Sequence, residues 1–213
     1  MAGVPRVRTA LNAFVESAQA AAGLLAGVKQ LRSRAPRGAR LLSDRQFEMV
    51  AELSFLQTYL AWEEFLEESF IRYLCGSASP SGKKFSRLVK PRDRGTAEKL
   101  LYMHRHRPDW TEPGNVTRLA ESMFDLGGPF VPVSSASADL REMKVIRNRI
   151  AHRSLSAQQE LEQLVRRVYG AVPRRTTAGG YLLRRPPGPR SRKRTFLAYY
   201  SDLLVALARM IAP

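Results

Sequence analysis

Between Lys144 and Ser154 the chain reads KVIRNRIAHRS. Arg147, Asn148 and His152 bring a guanidinium, an amide and an imidazole close together in this stretch. Imidazoles move protons at neutral pH, and so serve as general base or acid. A guanidinium grips phosphoryl oxygens through paired N–H donors and stabilises charge that develops on them. An amide orients the imidazole ring or a ribose hydroxyl. This set suits metal-free RNA cleavage, in which a ribose 2′-OH attacks the adjacent phosphate. Arg149 and Arg153 read as charges that position RNA.

Helical geometry sets what these groups can do together. Successive residues of an ideal helix turn by about 100°. With Ile146 as origin, Leu140, Met143, Ile146 and Ile150 form an apolar stripe centred at about 60°. Arg147 lies at the edge of that stripe. Asn148 and His152 are an i, i+4 pair and share a face. Arg147 and His152 splay by about 140°, so they converge only where the helix ends, kinks or meets a partner. Ser156 and Gln159 have the spacing of a capping box for a following helix to Tyr169. That places a helix end just after His152.

A second group of chemical residues is the WEEFLEE segment. Glu63 and Glu67 lie one helical turn apart, as do Glu64 and Glu68. Paired carboxylates can hold a divalent cation, but no histidine stands at ligand spacing. The segment is therefore read as a solvated acidic face or a counterpart to the basic motif helix. Glu63 and Glu67 are kept as possible auxiliary residues, and no metal or other cofactor is assigned. His104 and His106, two positions apart, point to different helix faces and read as basic surface. Trp62 and Trp110 read as core or interface. Cys75 has no histidine near it in sequence and is not read as a nucleophile.

These residues need a scaffold, and apolar periodicity predicts an all-α one. Helices are expected over 6–30, 44–74, 96–106, 115–124, from about 138 through the motif, to Tyr169 and over 195–211. Residues 44–74 contain no proline or glycine and should form the central helix, capped by Ser43 or Asp44. Thr96 and Asn115 are the expected caps of the two shorter helices. DLGGPFVPVSSASAD reads as a loop. Residues 171–195 form a basic Pro/Gly-rich insert or arm, read as a hairpin with a basic tip or as disorder. Its Arg190, Arg192, Lys193 and Arg194 are expected to contact RNA. The expectation is a single domain over 1–213.

The composition agrees with a nucleic-acid partner. A formal charge of +16 over 213 residues attracts polyanions. One cysteine excludes an intramolecular disulfide and a cysteine-based zinc cluster, and fits a cytoplasmic setting. No apolar run approaches the about 20 residues of a spanning helix. The alanine-rich N-terminal stretch is interrupted by Asn12, Glu16, Ser17 and Gln19, unlike a signal peptide.

With RNRIAH at Arg147–His152, and YLAWEEFLEESFIRYL at Tyr59–Leu74 before it, the chain resembles the HEPN family over about residues 40 to 170. The likeness is to its MAE-type and RiboL-PSP-type subgroups. The family signature is Arg, four to six residues, then His, often with Asn directly after the Arg. The resemblance implies an antiparallel helical bundle, here with an additional C-terminal helix and a basic loop or hairpin. It implies a metal-independent endoribonuclease acting as a homodimer, in a toxin–antitoxin or anti-phage defence system, with an antitoxin or other defence protein as a further partner. On it, Arg147 stabilises phosphate, His152 is base or acid, and Asn148 supports both. Some members are catalytically silent RNA- or partner-binding modules, which is the alternative.

Overall fold

A computed structural model describes residues 6–34, 42–102, 108–188 and 194–213. Among the described residues there are nine α-helices, one 3₁₀ segment and no β-strand, so the all-α expectation holds. The helices are α1 (Val7–Arg34), α2 (Asp44–Leu74), α3 (Arg94–Leu101), α4 (Pro113–Met123), α5 (Val131–Ser135), α6 (Ser137–Ala151), α7 (Leu155–Tyr169), α8 (Ala178–Leu183) and α9 (Phe196–Ile211). None of the described helices is long and apolar enough to cross a membrane.

The central helix α2 starts where its sequence signals. Ser43 and Gln46 form a reciprocal cap: Ser43 N–H donates to Gln46 Oε1 at 2.8 Å, and Gln46 N–H donates to Ser43 Oγ at 3.2 Å. Beyond its last residue, Gly76 adopts a φ of +89°, and a Cβ there would lie 2.9 Å from the Arg87 guanidinium. That guanidinium donates to the Leu74 carbonyl at 2.9 Å, satisfying one of the orphan carbonyls of the helix end.

The chain divides into two compact units. The first comprises Met1–Val15, Ala61–Arg141 and Leu204–Pro213. Its core is aromatic. Phe70 stacks on Phe130 at 4.8 Å and meets Phe124 edge-on at 5.2 Å. Phe14, Trp62 and Phe65 form a second cluster. Trp62 and Trp110 are both buried here, as core residues. Three local expectations are corrected in this unit. Asp93, not Thr96, caps α3, because its carboxylate accepts from the Thr96 N–H at 2.8 Å. Helix α4 begins at Pro113 rather than Asn115, since a first-turn proline gives up an N–H that has no intrahelical partner anyway. The segment expected as a loop is largely helical. Asp125–Phe130 forms a 3₁₀ segment with positive φ at Leu126, Gly127 and Gly128, followed by α5. Gly128 is needed there: a Cβ would lie 2.7 Å from that of Phe124.

The second unit comprises Glu16–Leu60 and Glu142–Leu203. Tyr181 stacks on Phe196 at 4.4 Å, Phe196 on Tyr200 at 5.5 Å, and Tyr200 meets Phe55 edge-on at 6.4 Å. Tyr181 belongs to the Pro/Gly-rich insert. Part of that insert is helix α8, where a hairpin or a disordered arm was expected. Thr177 caps it by accepting from the Gly180 N–H at 2.9 Å, and Ala178, Tyr181 and Leu182 are buried. The burial of these apolar side chains outweighs the low helix propensity of the two glycines.

Candidate functional site

Helix α6 carries the motif, and its apolar stripe lies where periodicity places it. Met143 and Ile146 are fully buried, and Ile150 is half-buried. A polar anchor, not foreseen from sequence, fixes the same helix. Glu142 is 6% exposed although charged. Tyr200 Oη donates to Glu142 Oε2 at 2.9 Å, Tyr181 Oη lies 3.4 Å from Tyr200 Oη, and the exposed Arg167 approaches Glu142 Oε1 at 3.5 Å. Burial, with Tyr181 and Glu142 beside it, pushes the Tyr200 hydroxyl well above its ordinary pKa. It therefore stays a proton donor to the carboxylate throughout the neutral range.

The helix ends at Ala151. His152 N–H donates to the Asn148 carbonyl at 2.8 Å, closing the last turn. Helix α7 begins almost at once, and its cap is Ser154, whose Oγ accepts from the Ala157 N–H at 3.2 Å. The cap expected at Ser156 thus sits two residues earlier, as a simple cap without the reciprocal Gln, because Ser154 has the extended backbone (ψ 157°) that turns its side chain onto the new helix. His152 lies in the short break between the two helices and is exposed. Arg147 and Asn148 are half-buried on the last turns of α6. Arg149 is half-buried and its Nη1 lies 3.4 Å from the His152 carbonyl oxygen; Arg153 is exposed.

Arg149 and Arg153 share a cavity of about 110 Å³ with Arg45, Glu52 and Thr177. Arg147, Asn148 and His152 do not line it. Arg45 Nη1 pairs with Glu52 at 3.1 Å and with Glu48 at 3.3 Å. These carboxylates outweigh the cost of its burial and raise its pKa. Glu48 accepts from the Thr177 hydroxyl at 2.8 Å, and Glu52 from the Gly179 N–H at 3.0 Å. Sequence reading missed Arg45, Glu48, Glu52 and Thr177. The available signal was an Arg with Glu at i+3 and i+7 on one face of α2, which alone reads as an ordinary surface pattern.

The other expected residues fall elsewhere. Arg190, Arg192 and Lys193 lie outside the described residues, as do His104 and His106. Arg194 pairs with Asp202 and sits over the Tyr199 ring at 5.3 Å, tying down the start of α9. In the first unit, Glu67 accepts a hydrogen bond from Tyr102 Oη, and Glu63 is half-buried. Their neighbour Glu68 is held by Arg94 at 2.5 Å and Arg72 at 2.9 Å, and the Arg94 hydrogen bond leads in lowering its pKa. Burial raises the pKa of the Cys75 thiol, against the pull of Arg87, which lowers its thiolate population. Among the described residues, no group of three or more His, Cys, Asp and Glu side chains is arranged to hold a metal ion.

Comparison with known proteins gives no relative: no family model matches the chain, and no curated protein or solved structure is significantly similar to it.

Proposed function

We propose that the chain is a metal-independent endoribonuclease of the HEPN type. One observation carries the reading: His152 stands exposed in the break between α6 and α7, with Arg147 and Asn148 on the turn before it and Arg149 and Arg153 flanking it. An imidazole open to solvent can reach a polymeric substrate, and the guanidiniums nearby attract and orient its phosphates.

The ribose 2′ oxygen bonds to phosphorus as the bond to the 5′ oxygen breaks. The 2′-OH proton passes to a base, and the leaving 5′ oxygen takes one from an acid. The products are a 2′,3′-cyclic phosphate and a 5′-OH. His152 supplies one of the two proton-transfer roles, Arg147 stabilises the charged phosphoryl oxygens, and Asn148 supports both. Arg147 and His152 diverge on an ideal helix. A second copy related by a two-fold axis would bring another imidazole and guanidinium to the same phosphate and supply the other proton-transfer role. A toxin or anti-phage defence component is the setting that fits such an activity.

The test is RNA incubated with pure protein in excess chelator. Cleavage with cyclic or 3′-phosphate ends, abolished by His152→Ala without loss of RNA affinity or thermal stability, supports the proposal. Cleavage that needs added magnesium or manganese would move the chemistry to a metal-binding carboxylate site. Tight RNA binding with no cleavage under either condition would favour a catalytically silent binding module.

A further inference from the structure

The cavity formed by Arg45, Arg149 and Arg153 takes no part in the bond-making, bond-breaking and proton transfers just described. A volume of about 110 Å³ holds only about four water-sized groups. That suits a phosphoryl group, whereas a pocket for a whole small-molecule ligand is about 300 Å³ or more. Three guanidiniums and one carboxylate, Glu52, line the space. With Glu48, which pairs with Arg45 from beside it, the local balance is one net positive charge. One singly charged anion neutralises it.

Of the three guanidiniums, that of Arg45 is also held in place. Glu48 and Glu52 both grip Arg45, and both are tied to the start of α8 through Thr177 and Gly179. The approach is fixed because α8 packs directly on α2: a Cβ on Gly179 would lie 2.4 Å from the Glu48 carbonyl oxygen. These carboxylates are occupied with Arg45, Thr177 and Gly179, so they orient a guanidinium. A planar fork of N–H donors fixed in this way favours phosphate over a monovalent spherical anion.

We propose that this cavity binds one internal phosphodiester of the RNA strand, next to the phosphate that is cleaved. The assignment rests on the ribonuclease reading, because it takes RNA as the ligand. The link is structural. Arg149, which lines the cavity, reaches the His152 carbonyl oxygen, and Arg153 follows His152 directly. A strand with its scissile phosphate at His152 therefore runs its neighbouring phosphate to these arginines. The cavity sets the register of the strand, and with it the bond that is cut.

Binding of a short single-stranded RNA is measured against salt concentration, on the His152→Ala chain so that the strand stays whole. Arg45→Gln should weaken binding and reduce the slope of log affinity against log salt by about 0.7, the value for one phosphate contact on a single strand. Arg153→Gln, at an exposed position, should do the same if Arg45→Gln compromises folding in a thermal melt. Arg166→Gln, an exposed change of equal charge on α7, should leave the slope within about 0.2 of its starting value. A neutral methylphosphonate at the position next to the cleavage site should cancel the effect of Arg45→Gln. Unchanged slopes for Arg45→Gln and Arg153→Gln overturn the proposal. So does cancellation by removing a terminal phosphate instead of an internal one. The two readings fail separately. A chain with His152 restored that cuts RNA, alongside unaltered slopes, loses only the cavity. One that never cuts RNA, but shows the slope change and its cancellation by a methylphosphonate scanned to one internal position, keeps the cavity and loses the nuclease.

Discussion

Replacing Gly179 by alanine tests the contact that builds the cavity. The added Cβ would lie 2.4 Å from the carbonyl oxygen of Glu48 and 2.7 Å from both its carbonyl carbon and its Cβ. Two of those atoms are backbone in the second turn of α2, so no side-chain rotation relieves the overlap. The start of α8 must move away. Overpacking of this kind costs about 1–3 kcal/mol. The same movement breaks the bond from Gly179 N–H to the Glu52 carboxylate, and a hydrogen bond to a charged group contributes about 1.5–3 kcal/mol. Together the loss should be about 3–5 kcal/mol, a large part of the about 5–15 kcal/mol that holds a typical domain folded. For a chain of this size, each kcal/mol shifts the melting temperature by about 2–4 °C. Gly179→Ala should therefore melt about 6–20 °C below the parent by circular dichroism. Gly23→Ala is the control. It lies within α1, where a Cβ meets nothing within 4 Å, and should stabilise by about 0.5–1 kcal/mol. A Gly179→Ala chain that melts with the parent would refute the packing argument, as would equal losses in both variants.

Two further outcomes follow from buried and paired groups. Tyr200→Phe removes the 2.9 Å donor to the buried Glu142 carboxylate and should lower stability by about 1–3 kcal/mol in urea titrations; a change below about 0.5 kcal/mol would mean that Arg167 and solvent replace the hydroxyl. Glu68, held mainly by Arg94, has its pKa lowered from the ordinary 4.5. Its stabilising contribution is thus fully present above pH 4.5 and lost as pH falls through the lower folded-state value. Glu68→Gln should accordingly destabilise at pH 6 and converge with the parent at strongly acid pH, in urea midpoints taken along a pH series. A constant gap down to acid pH would place the effect in packing.

The sequence determined the elements whose signals are local. Residues 44–74 lack glycine and proline, carry apolar side chains around much of the helix surface and follow a Ser-x-x-Gln cap, and they form α2 from Asp44 to Leu74. The stripe of Met143, Ile146 and Ile150 follows from a period of about 3.6 residues, and the structure buries Met143 and Ile146 fully and Ile150 by half. Arg147, Asn148 and His152 were legible as a group because they lie within one stretch of six residues. Only tertiary structure decided the rest. Residues 178–183 are helical because Tyr181 stacks on Phe196 and Thr177 caps the turn, although glycines at 179 and 180 argue against a helix on propensity alone. Glu52 meets Gly179 across 127 positions of sequence. Local periodicity carries no information about such a pairing, and Arg45, Glu48 and Glu52 looked like a solvated face. The sequence signal pointed to Ser156 as the cap of α7, and the backbone angle at the chain reversal selected Ser154. Residue type and spacing thus singled out Arg147, Asn148 and His152, and long-range packing decided that Arg45, Arg149 and Arg153 share a cavity of about 110 Å³.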